Sequence, residues 1–590
     1  MLSRRADAAE YYVAPTGSDS NPGTMAQPFA SIQKGNDVAA AGDTVWLRAG
    51  TYYSTKQITL SRSGTSDSQR TKFWAYQQEV PVLDCSKYAT TNKAADVAAI
   101  LVTGNWIHLR GLEIANGPVG ASGDHSISML RTKNASNNTF ELLNIHHGFG
   151  PGLFVDTGMG GNLILNCDSH DNYDKNGSQG DGQNGDGFGV HYQTTGPSTI
   201  IRGCRAWINS DDGYDLISQE VPVTVENSWA IMNGYSNGGA SSPADGNGNG
   251  FKMGSSQTGI RHLVQNNVAW KNKAAGFYAN HSSGGNTWLN NTSYMNGIQY
   301  NMLASAAGDS SMTIVLSGSL VHKMRNNIGF PNKNTNMSGV DTMFNTWDLN
   351  ITEASSDFVS TSDTGYTGPR QADGSIPAID FLKLKAGSPV IDKGTDVGLA
   401  FVGTAPDLGA YEYGAVTSSG TGGSGTSGSG GTVGSGGAAA GGRGGASAAG
   451  GATGSAGKTG AAGKSGSGGA SASGGATSVG SGGQVGGGTG GAASGGLSGS
   501  GGAQGSGGLQ GSGGNPGGTA SGGSPTPDGA TGAGSGGVTG GSDGGTPEQS
   551  SSAAGCACNT GPGSGDLFGA VLASLMLAFA GRRRGARARR

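Results

Sequence analysis

"LILNCDSHDN" (163–172) and "IIRGCRAWIN" (200–209) follow one plan: a short alternating apolar run, a small residue, a second short run and a closing Asn. The plan returns in "VTVENSWAIMN" (223–233), "LVQNNVAWKN" (263–272) and "TWLNNTSYMN" (287–296). The closing residues Asn172, Asn209, Asn233, Asn272 and Asn296 are separated by 37, 24, 39 and 24 positions. An interval of 24 suits one coil of a parallel β-helix with three short strands, and the longer intervals suit the same coil carrying insertions of about 13 to 15 residues. Apolar alternation within each run is that of half-buried strands. Asn tolerates the left-handed backbone of a tight bend, and Asn side chains stacked from coil to coil can bond to one another and to the backbone. The expected fold class is all-β, a right-handed parallel β-helix, with the hand taken from the crossover rule. "PFASIQKGNDVAAAGDTVWLRAGTYY" (28–53) reads as a short helix followed by a first strand, capping the N-terminal end of the solenoid.

The 590 residues do not read as one globule. Residues 1–8 form a leader with basic residues and an Ala-Asp-Ala step but no apolar h-region, which implies a truncated start or an unusual export route. Residues 9–414 are the β-helix. Residues 415–554, almost entirely Gly, Ser, Ala and Thr, are too poor in apolar side chains to fold and read as a flexible tether. Residues 555–590 combine Cys556 and Cys558, an apolar run at 567–580 and an Arg cluster. The apolar run is short for a stable span, so the tail reads as a sorting signal with a hydrophobic helix. It resembles the C-terminal sorting tail of myxobacterial surface proteins, which implies export and attachment to the membrane or cell surface. A formal net charge of −4 gives no reason to expect nucleic acid as partner, and a monomer is expected. Five cysteines are too few for a disulfide scaffold. Cys167 and Cys204 fall in one column on adjacent coils, where a disulfide is conceivable and simple side-by-side burial is the usual outcome.

The strand that follows each closing Asn gives a second alignment: "GDGFGVH" (185–191), "DDGYDLI" (211–217), "GNGFKMG" (248–254) and "AAGFYAN" (274–280). Gly187, Gly213, Gly250 and Gly276 share one column, and Phe188, Tyr214, Phe251 and Phe277 share the next as an expected internal stack. The column before the Gly holds Asp186, Asp212, Asn249 and Ala275; the one after the aromatic holds Gly189, Asp215, Lys252 and Tyr278. With coils about 4.8 Å apart, Asp186, Asp211, Asp212 and Asp215 converge with Lys252 on one patch. The insertions 173–185 and 234–248 enter just before this column and could wall it into a cleft. Four carboxylates so close would destabilise the fold unless a cation bridges them, and an array of hard oxygens points to Ca2+. The bland reading is a solvated acidic edge that discourages edge-to-edge pairing. A bound cation beside Lys252 would lower its pKa from the usual value of about 10.4, leaving more neutral amine to act as a base.

"NGDGF", "NSDDGYDL" and "GNGFKMG", in this order, resemble polysaccharide lyase family 9, the β-helical pectate lyases. The start "YYVAPTGSDSNPGTMAQPFASIQ" is similar as well, and the resemblance covers roughly residues 11–414. It implies Ca2+ held by Asp186, Asp211, Asp212 and Asp215, with Lys252 as Brønsted base. The implied reaction is β-elimination in an acidic polysaccharide such as polygalacturonate (pectate), by a secreted or surface-anchored enzyme. Two other readings stand beside it: a polygalacturonase-like hydrolase, and a non-catalytic surface adhesin on the same fold. The Gly-His-Gly and Arg-Ile-Lys segments of the hydrolases are missing, and a passive lectin would not need Lys252.

Overall fold

The structure is a computed structural model that describes residues 8–90, 97–120, 127–175, 180–236, 242–254 and 260–415. Three parallel sheets run side by side along the chain. Sheet A has twelve strands from Glu10–Val13 to Val340–Met343, sheet B ten from Gly50–Tyr53 to Ile328–Phe330, and sheet C ten from Ile58–Leu60 to Asn334–Thr335. Each coil contributes one short strand to each sheet, as Leu163–Leu165, Asp168–His170 and Phe188–His191 do in turn. The three-strand coil read from the repeats is therefore the architecture found.

Coil-to-coil bonds at the bends hold the stack together. Asn172 Nδ2 donates to Asn209 Oδ1 at 2.9 Å, Asn209 to Asn233 at 3.0 Å, Asn233 to Asn272 at 2.9 Å and Asn272 to Asn296 at 2.8 Å. The left-handed backbone lies one residue earlier than expected, at Asp171, Ile208, Met232, Lys271 and Met295. The reason is directional: the ladder Asn must aim its amide into the bend, so the residue before it carries the positive φ. A second ladder crosses the bend between sheets A and B, through Asn267, Asn291, Asn327 and Asn345. Here the preceding left-handed residue is itself Asn at positions 266, 290 and 326.

Cys167 and Cys204 occupy this second column further up. Both are buried and free, and the Cys167 N–H points at Cys204 Sγ, 3.4 Å away, where later coils present an Asn oxygen. The sulfurs thus fill ladder positions rather than a cross-link.

Inside, Phe188, Tyr214, Phe251, Phe277 and Tyr300 form a continuous stack with ring centroids 4.6–5.2 Å apart, all fully buried. The glycine column beside it is there for clearance. A Cβ on Gly213 would come within 2.7 Å of both the Gly250 carbonyl oxygen and the Asn233 amide.

At the N-terminal end, Ile32–Val38 is the expected helix. The strand Thr44–Leu47 after it is not the first, because it pairs with Glu10–Val13. On the outer face of sheet B, Trp207, Trp229, Ile231, Val268 and Trp270 are covered by Phe358, Phe381, Leu382, Leu384, Val390 and Leu408 of the C-terminal segment. Arg205 and Arg370 both clamp Asp168, at 2.6 Å each, and pin that segment down. No described helix is long and apolar enough to cross a membrane. Residues 1–7, the tether (described only at Ala415) and the sorting tail with Cys556 and Cys558 lie outside the described residues.

Replacing Asn233 by Ala removes the two bonds its amide donates, takes the acceptor from the Asn209 backbone N–H and leaves the Asn209 amide only its bond to the Ser169 carbonyl. Unsatisfied buried polar groups cost about 1–3 kcal/mol each. Equilibrium denaturation of the Asn233→Ala variant is expected to show a loss of about 3 kcal/mol or more; a loss under about 1 kcal/mol would mean the ladder is not what holds adjacent coils.

Candidate active site

The bend between sheets B and C carries the acidic residues, and register brings them together. Gly189, Asp215, Lys252 and Tyr278 pair in sequence across four neighbouring strands of sheet C. Asp186 and Asp212 stand one coil apart just before these strands, with the Asp212 N–H donating to Asp186 Oδ1 at 3.1 Å. Carboxylate oxygens of Asp186, Asp212 and Asp215 lie within 4.8 Å of one another. Asp211 is not in that set: its Oδ1 accepts the Asn247 N–H at 2.5 Å, so the second insertion engages it from the side.

Lys252 Nζ lies 3.0 Å from Asp212 Oδ2 and 3.2 Å from Asp215 Oδ2. Asp212 Oδ1 is filled by the backbone and side-chain N–H groups of Asn249, at 2.7 and 2.9 Å. Asp212 Oδ2, by contrast, has an ion pair with Lys252 but no directed hydrogen bond, and Asp215 Oδ1 has none either. His191 adds a third buried atom of this kind, its Nε2 lying 3.7 Å from Asp215 Oδ2 without a hydrogen bond.

The group is buried, with exposures from 0% for Asp212 to 8% for Lys252. That disposes of the solvated-edge reading, which needs the carboxylates in water. It also sets the protonation pattern. Burial, and then repulsion from the other carboxylates, pushes Asp186 and Asp211 well above the usual carboxylate range; burial raises Asp212 as well, against the pull of Lys252. Asp215 goes the other way, because Lys252 and His191 outweigh its burial. Burial alone would lower the Lys252 ammonium, yet Asp212, Asp215, Asp211 and Asp186 hold it well above its usual value. Without a bound cation Lys252 is thus charged and acts as the counter-ion of the cluster. The neutral amine expected from the sequence requires something else to take over that charge.

The residues fit a divalent cation. Three carboxylates converge, two of their buried oxygens lack hydrogen bonds, and all donors are hard oxygen. Away from this cluster, a cavity of about 440 Å³ among the described residues lies over sheet B, lined by Trp207, His170 and Arg370 among others.

The family described as "Pel9A-like, right handed beta helix region" matches residues 11–327. The chain belongs to this family. The Pel9A-like chain is 36% identical over 411 residues to "Pectate lyase L" of Dickeya dadantii (strain 3937), covering 68% of this chain and 90% of that protein. It is 30% identical over 420 residues to "Pectate lyase PEL9" of Emericella nidulans, covering 66% and 95%. Against the crystal structure of pectate lyase Pel9A the TM-score is 0.58 at 33% identity, over 69% of this chain and 97% of that one. A structure titled "Rhamnogalacturonan lyase" gives 0.56 at 30% identity, over 64% and 97%. The Pel9A-like chain is accordingly a polysaccharide lyase.

His191 and Asn249 were not singled out from the sequence, although both stand inside the aligned strands. The signal for His191 was its place at the end of "GDGFGVH", two residues on from Gly189 and so on the same outward face.

A bound cation would compete with protons for the same oxygens here. The raised carboxylates contribute stability below the ordinary carboxylate range and lose it as pH rises through their folded values, so cation binding must displace protons less and less as pH rises. Ca2+ is expected to raise the Tm more at about pH 8 than at about pH 5, and at a hundredfold excess over its Kd to add about 2.7 kcal/mol. Thermal melts with Ca2+ and with chelator check this; a shift that is absent, or that shrinks as pH rises, would tell against the cluster as the binding site.

Proposed function

We propose that the protein is a calcium-dependent pectate lyase that cleaves polygalacturonate by β-elimination, with Asp186, Asp211, Asp212 and Asp215 holding Ca2+ and Lys252 as the base. The observation that carries this reading is Lys252 buried within 3.2 Å of two carboxylates that converge with Asp186. The pectate lyases among its relatives support the substrate class. Export, with attachment through the C-terminal tail, belongs to the same proposal.

Asp186, Asp212 and Asp215 supply the core of the cation site, with Asp211 at its margin. The chemistry a bound Ca2+ supplies is neutralisation of the substrate C6 carboxylate, which acidifies the C5 proton. Asp212 is held in place by Asn249, so its second oxygen keeps a fixed direction. When the carboxylates are no longer Lys252's to neutralise, its pKa falls and the neutral amine takes the C5 proton. The C5–H electron pair becomes the C4–C5 double bond as C4–O4 breaks, and O4 leaves with a proton from water. A hydrolase would instead need an acid and a second carboxylate flanking the glycosidic bond. The carboxylates here crowd together around a lysine.

The full chain, given polygalacturonate and Ca2+, is expected to produce ultraviolet-absorbing unsaturated ends, and chelator should stop it. Lys252→Ala should lower the rate by at least about a thousandfold, while the Ca2+-induced rise in Tm persists. Reducing ends without absorbance would point to hydrolysis, and retained polymer without either product to an adhesin. An active Lys252→Ala variant would remove Lys252 as base.

A further inference from the structure

The outward column of sheet C that holds Asp215 and Lys252 has an aromatic residue on either side. In register it runs Phe154, Gly189, Asp215, Lys252, Tyr278. Phe154 and Tyr278 are both half-buried, unlike the fully buried rings of the internal stack.

Gly189 shows how the Phe154 ring is placed. A Cβ at 189 would meet the ring at 2.6 and 3.1 Å, so only Gly lets the ring lie down along the coil axis toward Asp215. His191 supports it edge-on with centroids 4.8 Å apart, and the Arg131 guanidinium stands 5.0 Å from its centroid. Arg131 is itself fixed by a pair with Asp156. The buried imidazole and guanidinium therefore hold the half-buried ring in place, with Gly189 between it and the acidic cluster. Tyr278 stands directly beyond Lys252 on the other side.

We propose that Phe154 and Tyr278 are sugar-stacking platforms at the two ends of a track for a polyuronate chain, resting on the lyase reading above for the substrate class. Four coil intervals separate them, about 19 Å, which is a length for an oligosaccharide and not for a single sugar. Pyranose rings offer apolar C–H faces that pack on aromatic rings while their hydroxyls stay in water.

The test is calorimetric binding of hexagalacturonate to the full chain with Ca2+, in the Lys252→Ala background so that ligand is not consumed. Phe154→Leu and Tyr278→Leu are each expected to weaken binding about tenfold, and Phe154→Tyr and Tyr278→Phe to bind within about twofold of the parent. The Ca2+-induced rise in Tm, measured in each variant, reports that the cluster remains intact. Hexagalacturonate affinity unchanged in both Leu variants would overturn the proposal. So would equal losses in the Leu and the aromatic-for-aromatic variants, because the ring would then not be the cause. Absence of unsaturated product from the wild-type chain, with these binding losses still present, would count against the lyase reading and leave the platforms standing.

Discussion

The structure depends on one repeated constraint: each coil must bond its bend to the next. The Asn172–Asn209–Asn233–Asn272–Asn296 ladder meets it by giving every amide both a donor and an acceptor role within the bend. Such a ladder tolerates insertions of any composition between coils, because only the Asn and the residue before it need fixed geometry. It does not tolerate a slip in register, which would break the amide chain at every rung. Register, in turn, is what converts a position in the repeat into a column in space. The aromatic stack, the glycine column and the acidic cluster are all consequences of it.

The same rule makes the acidic cluster costly. Two like charges at the coil spacing repel by about 3 kcal/mol at an effective dielectric of 20. Burial adds a desolvation cost to each. The cluster limits this cost in three ways: Asn249 and Asn247 donate to Asp212 and Asp211, Lys252 sits between Asp212 and Asp215, and three of the carboxyls have raised pKa values. A well-packed apolar set would serve stability better. The arrangement makes physical sense as a cation site whose resident counter-ion, Lys252, is released when a divalent ion arrives. One residue would then have two roles, ordering the empty site and reacting in the filled one.

Much of this was legible in the sequence because a solenoid repeats its own rules. The closing Asn residues, the Phe188–Tyr214–Phe251–Phe277 column and the pairing of Asp215 with Lys252 followed from period alone. What escaped was information that period does not carry. The left-handed residue lies beside the ladder Asn, since one side chain cannot both leave the bend and fill it. The opening strand Glu10–Val13 precedes the helix, where no earlier coil exists to align it with. The depth at which Asp212 and Lys252 are buried is of this kind too, since alternation does not report how closely the bend is packed. His191 was hidden because a single histidine at a strand end carries no weight until its Nε2 is seen lying near Asp215.

The cover over sheet B bears on why the proposed site lies on sheet C. "RAW" (205–207), "WAI" (229–231) and "VAW" (268–270) place bulky residues outward and alanine inward, so this sheet has a second apolar face. A face like that must be buried, and the C-terminal segment is used for it, fastened by Asp168 between Arg205 and Arg370. Sheet C has the opposite pattern: large rings inward, and Gly189, Asp215 and Lys252 outward. Its outward column can therefore stay polar without cost to the core, while its inward rings supply the stacking that sheet B's alanines do not. The division of labour between the sheets thus follows from where each places its large side chains, and a polar column is stable on the sheet whose core packing is already complete.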